Sequence, residues 1–314
     1  MENDLYSVMV NSGGKLQFPS KENFLNSNNI ASIDDIKQKA NSGVLHFNGG
    51  YVIGPKDDFI GTFDTLSLCQ TIKINNHDFE NDYTFFFSIG VSGVAAKNDA
   101  IAFYIDKRSS GETFKAAVLY EKTRHPDLTA STKSYYAENK DILTKILDGK
   151  FHTISLIFKV GEKLKLYVDG VLVATSDEEM PYSLVRATLT GYPNYYSYGV
   201  GCRPMTTSLG ALKSALISRC EVFNFDITAE NAPYSINDYL QNKPIPPYLL
   251  DPTAEQRAEL ALENFTFNGD VLDYSGKGRH GKIEGSGSVK GDNDRKVETL
   301  FEKFSARISN QTNG

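Results

Sequence analysis

Tryptophan is missing from this 314-residue chain, and cysteine occurs only as Cys69, Cys202 and Cys220. Without Trp, any aromatic surface must be built from Tyr and Phe, which are weaker partners for cations and flat rings. Three widely spaced cysteines exclude a disulfide scaffold. A hairpin pairing of Cys202 with Cys220 stays open beside the simpler reading of three buried thiols, and no spacing fits a zinc site. No apolar run approaches the roughly 18–20 residues of a membrane-spanning helix, so no membrane insertion is expected. A basic excess is lacking too: Lys and Arg total 33 against 39 Asp and Glu, a net charge of −6. That balance excludes nucleic acid as the main partner, because phosphate binding needs a concentrated basic face. The opening MENDLYSVMVNSGGK has no basic region, apolar core and small-residue cleavage site of a signal peptide. Also missing are a G-x-S-x-G elbow, a phosphate loop and a Cys/His pair. His46, His77, His125, His152 and His280 are scattered along the chain.

What is present is ordinary globular composition, 40% hydrophobic and 23% charged, enough for a sizeable core in one large or two modest domains. The clearest pattern is FHTISLIFKVGEKLKLYVDGVLVATS at residues 151–176. Ile154, Leu156 and Phe158 alternate with polar residues, and Leu164, Leu166 and Val168 do so again after Gly161. Period two with β-branched and aromatic residues marks half-buried strands. Asp169-Gly170 between two apolar runs predicts a two-residue type I′ turn. The stretch therefore reads as a three-stranded antiparallel meander with one face in a core.

Further strand candidates fall at 44–53, 59–74, 82–91, 100–106, 114–121, 184–190, 197–202 and 214–225. Many short strands with Gly, Asn and Asp turns predict an all-β antiparallel sandwich. Residues 122–150 interrupt the pattern and read as a functional loop or small helical insertion, with a faint helical period over 138–147. Residues 1–40 form a polar N-terminal arm with a short helix from Ile33, Ser32 and Asp35 supplying a capping box. Residues 41–245 hold the sandwich. Residues 246–314 are a Pro-rich linker, short helices and an extra strand segment. There, Thr253 and Gln256 cap a helix over 253–263, FTFNGDVLDYSG follows, and Val297, Leu300, Phe301, Phe304 and Ile308 make one apolar helical stripe. A strand in this extension needs a sheet edge, either in its own sandwich or in a neighbouring copy. The neighbour alternative implies a homo-oligomer, a trimer as the first guess.

The meander also resembles the central hairpin of the laminin-G-like and pentraxin-like branch of the concanavalin A-like lectin/glucanase superfamily. LHFNGGYV at 45–52 resembles the family's opening strand, and DYTFFF at 82–87 its "dFTisfw" strand. Ile217, Val222, Phe223, Asn224, Ile227, Thr228, Ala229, Glu230 and Leu240 resemble its closing segment. The FTFNGDVLDYSG run resembles the segment that normally opens such a domain, here near the C-terminus. The resemblance covers roughly residues 40–245 and implies a two-sheet jelly roll, a superfold that hosts lectins, adhesion modules and hydrolases alike.

Within that family, laminarinase-type hydrolases carry two glutamates and an aspartate along one strand (ExDxxE), and no such run occurs here. Asp177-Glu178-Glu179 is contiguous and reads as a solvated loop; Glu221, Asp226 and Glu230 have the wrong spacing for one strand face. His152 falls where the family uses a residue for sheet packing. KNDAIAFYI at 97–105 resembles the "aDGiaFfi" strand start of legume-type lectins, which implies Asp99 as an acceptor for sugar hydroxyls at the sheet rim. Ala100 stands where that family has Gly, and the ExDxxxN metal run is missing from 114–121, so no cofactor is expected and calcium lacks its usual ligands. Tyr135, Tyr136, Tyr192, Tyr195, Tyr196 and Tyr198 are the remaining candidates, since Tyr offers a flat apolar face with a hydroxyl tip. The chain is expected to be a non-catalytic, lectin-like binding or structural protein, plausible as a phage virion component. Its expected partner is a surface glycan or a virion structural protein, and the location this implies is a virion, or the extracellular space by a route without a signal peptide, after assembly in the cytoplasm. A carbohydrate-active enzyme of the same fold, or a secreted bacterial adhesion module, is the alternative.

Overall fold

Two antiparallel sheets account for most of the strands, and each takes members from both ends of the chain. The computed structural model describes residues 45–54, 60–74, 82–90, 98–108, 112–188, 198–203, 212–241, 243, 261–266, 282–284 and 288–291. In order the strands are β1 (Leu45–Asn48), β2 (Tyr51–Ile53), β3 (Gly61–Phe63), β4 (Thr65–Ile74), β5 (Tyr83–Ile89), β6 (Ala100–Asp106), β7 (Thr113–Glu121) and β8 (Thr132–Asn139). After helix α1 (Ile142–Ile146) come β9 (Phe151–Lys159), β10 (Lys163–Val168), β11 (Val171–Glu179), β12 (Leu184–Arg186), β13 (Tyr198–Val200) and β14 (Lys213–Phe223). Helix α2 (Ile236–Leu240) precedes β15 (Ala261–Thr266), β16 (Lys282–Glu284) and β17 (Ser288–Gly291). One sheet runs β11-β10-β9-β4-β14-β1-β17, with β15 also on β14; the other runs β16-β2-β13-β5-β6-β7-β8, and β12 pairs with β3 apart from both.

The fold is an all-β, two-sheet sandwich of the jelly-roll kind. Its core is made by the period-two residues of both sheets: Leu68, Ile72, Ile154, Leu156, Phe158, Leu164, Leu166 and Val168 from one, Phe86, Phe103, Ile105, Phe114 and Val118 from the other. The meander forms as its pattern predicts, β10 lying antiparallel between β9 and β11. Asp169 and Gly170 take φ of 51° and 76°, the left-handed pair that a type I′ turn requires. His152 is buried in the sheet, its Nδ1 2.9 Å from the Asp169 carboxylate and its Nε2 2.9 Å from that of Asp148.

Several sequence expectations are corrected. The run 44–53 is two strands: β1 belongs to one sheet and β2 to the other, and Gly49, at φ 77°, makes the crossing. Likewise 59–74 divides into β3 and β4. Residues 122–150 are mainly a turn and a full edge strand, β8, with α1 as the only helical turn described there. The pattern hid β8 because its outward residues are polar and only Tyr135 and Ala137 supply its buried apolar side. Asp177, Glu178 and Glu179 end β11 rather than a loop, all exposed. Residues 261–263 are β15 rather than the end of a helix. The rest of that predicted helix, the arm of residues 1–40 and the stripe over 297–308 lie outside the described residues, as does most of FTFNGDVLDYSG. Within this one chain β15 pairs with β14, β16 with β2 and β17 with β1.

A register shift between Ile217 and Arg219 decides what lies behind the first sheet. Before it Ala215 and Ile217 face the core; after it Cys220 and Val222 do, so Arg219, Glu221 and Phe223 turn to the outer face. There Phe223, Ile227, Tyr234 and Tyr239 form a second buried cluster with Cys69 and Ile157. Ser235 and Asp238 close a capping box at the start of α2. Beneath it Arg219 donates to Glu221 (2.8 Å), the Tyr239 carbonyl (3.1 Å) and the Tyr234 hydroxyl (3.3 Å), and its guanidinium lies 4.2 Å from the Tyr239 ring centre. All three cysteines are buried free thiols, and burial pushes that of Cys69 up to about 12, so a reactive thiolate is disfavoured. On the opposite flank β8 meets β11: the Asn139 side chain donates to the Val173 carbonyl (2.8 Å) and Lys133 pairs with Glu178 (2.9 Å).

Candidate functional site

Asp99 immediately precedes β6, at the end of the sandwich where the β7–β8 turn and β12 meet. Its carboxylate is fully buried and faces inward. One oxygen accepts the Glu121 amide (2.8 Å); the other accepts the Val185 amide (2.6 Å) and lies 2.7 Å from His125 Nε2. A carboxylate with three protein donors and no exposed surface holds a rim together, so Asp99 is not the outward sugar ligand that the resemblance implied. The preceding side chain does the same work. Asn98 Oδ1 accepts from the Ala187 amide (3.0 Å) and from Arg124 Nε (3.0 Å), while its amide group donates to the Ala187 carbonyl (2.7 Å).

Two adjacent buried residues thus position two adjacent residues of the turn. Asn98 holds Arg124 and Asp99 holds His125, and both are tied to the backbone of residues 185–187. The turn itself closes through the Glu121 carbonyl, which accepts from the amides of Arg124 (2.8 Å) and His125 (3.0 Å). Since a carboxylate can only accept, the His125 proton sits on Nε2, and in the neutral ring Nδ1 is an acceptor. Among the described residues Nδ1 has no partner, nor do the two terminal nitrogens of Arg124.

Aromatic rings complete the rim. The His125 ring stacks on Tyr182 at 4.7 Å and 20°, and Tyr120 meets both edge-on at 5.0 and 5.6 Å. Tyr120 donates to the Tyr182 carbonyl (2.7 Å), and burial, with the nearby Asp99 charge, pushes its phenol well above the usual range. Tyr182 is half-buried; its hydroxyl donates to Asp127, an interaction that raises the Tyr182 pKa. The Ser183 hydroxyl donates to Asp64. Gly90 is required here: it has φ 78°, and a Cβ would come 2.1 Å from Arg186 Nη1 and 2.6 Å from the Asp99 carbonyl.

The predicted tyrosines do not gather at this rim. Tyr135 points into the core and Tyr198 is fully buried, packed so closely on Gly54 that a Cβ there would lie 2.0 Å from its ring. Tyr136 is exposed on the outer side of β8, with Lys115 Nζ 5.1 Å from its ring centre. Tyr192, Tyr195 and Tyr196 lie outside the described residues. Elsewhere on that outer face Tyr83, Phe85 and Tyr104 form a ring cluster with centres 4.9–6.1 Å apart, and Arg108 caps Tyr83 at 4.0 Å. Sequence reading passed over Arg124, His125 and Tyr182. The spacing that would have flagged them is the pairing of residues 98–99 with 124–125, which only the folded chain reveals. Among the described residues no cluster of His, Cys, Asp and Glu has metal-binding geometry.

No protein-family profile matches the chain, and no curated protein sequence does either. Solved structures with a similar backbone include mouse laminin alpha1 chain domains LG4-5, at 15% identity and TM-score 0.35 over 57% of this chain. Others are the CBM40 of Ruminococcus gnavus IT-sialidase (12%, TM-score 0.35, 61% of this chain) and the receptor binding domain of botulinum neurotoxin D (9%, TM-score 0.38, 59% of this chain). The matched part spans 40% of the laminin chain and 41% of the toxin domain, against 96% of the CBM40. Likeness at this level transfers neither a ligand nor an activity.

Proposed function

We propose that the protein is a non-catalytic, lectin-like binding module whose ligand seat is the Arg124–His125–Tyr182 rim. One observation carries this reading: buried Asn98 and Asp99 fix a cation and an imidazole whose remaining hydrogen-bonding groups have no partner among the described residues, beside a half-buried aromatic ring. Such preorganisation lowers the ordering cost of binding. A ring face flanked by fixed donors and an acceptor suits a saccharide, which offers hydroxyls at its edge and an apolar C–H face. Glycosidic cleavage by the usual route needs two carboxylates free to move protons or attack. At this rim Asp99 is engaged at both oxygens, Asp127 takes the Tyr182 hydroxyl and Glu121 is buried beneath the turn, which favours binding without turnover.

The test is a glycan panel screened with the full chain and with Tyr182→Ala. Binding of at least one glycan, weakened tenfold or more in the variant and without release of reducing ends, is the expected result. Turnover of any glycan would make the protein an enzyme, and wild-type affinity in Tyr182→Ala would move the seat elsewhere.

A further inference from the structure

We infer that the ligand taken at this rim is an acidic saccharide, its carboxylate held by Arg124. The inference rests on the rim being the ligand seat and goes further by naming the chemistry that seat selects. Arginine is a permanent cation whose planar fork matches a carboxylate with two parallel N–H bonds. In most such settings a protein carboxylate takes that role. Here the residue that orients Arg124 is Asn98, an uncharged amide whose oxygen receives Nε at 3.0 Å and leaves the charge uncompensated.

Of the carboxylates in the turn and its support, Asp99 and Asp127 are committed to other donors, and Glu121, buried in the same turn, forms no ion pair with Arg124 among the described residues. Asp99 is occupied by His125 and the amides of Glu121 and Val185, and Asp127 by the Tyr182 hydroxyl. Arg124 is half-buried, so a carboxylate arriving there meets a cation that water screens only in part. The adjacent His125 Nδ1 offers a hydrogen-bond partner for a hydroxyl, which can donate or accept, and the Tyr182 ring an apolar surface. Carboxylate, hydroxyl and flat apolar face occur together on a sugar acid of the uronic or sialic type. An acidic peptide carries the first without the other two, and the rim's chemistry favours the sugar.

Titration calorimetry on the full chain tests this with sialyllactose and oligogalacturonate, each beside its carboxyl-reduced counterpart, and with lactose and hexaglutamate. The expected result is binding of at least one sugar acid, at least tenfold weaker after carboxyl reduction. Arg124→Ala should erase the difference between acid and reduced form, and Arg124→Lys should weaken the acid at least fivefold, with melting temperatures close to the parent. Retained discrimination in a folded Arg124→Ala would overturn the assignment to Arg124. Equal binding of acid and reduced sugar would overturn the acidic class but leave the rim a saccharide seat. Tighter binding of hexaglutamate than of any sugar would replace the ligand with an acidic peptide, and binding of no saccharide would sink the lectin reading with it.

Discussion

The meander β9–β11 and the rim around Asp99 are both tightly hydrogen-bonded, yet they are built in opposite ways. Within the meander the pairing is local, β9 beside β10, β10 beside β11 and His152 against Asp148 and Asp169, and only its inner edge, β9 on β4, reaches a distant segment. At the rim residues 98 and 99 join three segments at once, the turn 26 residues on through Arg124 and His125, and Val185 and Ala187, 86 and 89 residues on. Local alternation and one turn suffice for the first. The second exists only after β12 has come to rest against the start of β6 and the β7–β8 turn.

The largest expected effect breaks the meander's hold on the core. Phe158 is fully buried between the sheets, and Phe158→Ala should cost about 3–5 kcal/mol of stability in a denaturant titration. A loss below about 1 kcal/mol would mean that the sheets repack without this strand. Next comes the rim's own keystone. Asp99→Ala strands the donors of Glu121, His125 and Val185, and at about 1–3 kcal/mol for each buried unsatisfied group, partly relieved by relaxation, a loss of roughly 2–4 kcal/mol is expected. If stability stays within about 0.5 kcal/mol of the parent, the rim is solvated and Asp99 is not its support.

Two glycines sharpen the comparison inside the meander itself. Gly161 and Gly170 share φ of 76°, but a Cβ at Gly161 meets nothing within 4 Å whereas one at Gly170 meets Leu240 Cδ1 at 2.6 Å. Both Ala variants should lose about 1–2 kcal/mol for the left-handed conformation, with Gly170→Ala the worse by its added contact. Equal losses in thermal melts would show that Leu240 yields freely.

The smallest effect is the acid limb. The His152 hydrogen bond, then the Lys150 amide, hold Asp148 down to about 2, and Lys243 with Ser235 does the same for Asp238. Asp169 is lowered as well: burial opposes the shift, but hydrogen bonds from His152, Thr153 and Lys145 outweigh it. A carboxylate whose folded pKa lies below its unfolded value near 3.8 stabilises the fold fully above 3.8 and loses that contribution as pH falls toward 2. Melting temperature should therefore be level from pH 6 to about 4 and fall below it, with a shallower fall in Asp148→Asn. An unchanged acid limb in that variant would remove Asp148 as a contributor.

By itself the sequence determined the sandwich class, the meander, its Asp-Gly turn and the inward set Ile154, Leu156, Phe158, Leu164, Leu166 and Val168. These follow from period-two burial and from the φ values that Asp and Gly accept, both of which act between neighbours. Strand β8 was illegible because one side of it is solvated and polar, so its alternation is carried by Tyr135 and Ala137 alone. The split of 44–53 between two sheets needed to know that Gly49 changes direction rather than interrupts a strand. Only the tertiary structure decided the candidate site. Asp99 is a buried support rather than the outward acceptor that the resemblance implied: whether a carboxylate faces a ligand or the protein depends on which donors approach it. Those donors come from residues 121, 125 and 185, and no pattern along the chain couples them to residue 99. The same reason scattered the tyrosines, since a Tyr in sequence is a surface or a core residue until the register of its strand is fixed.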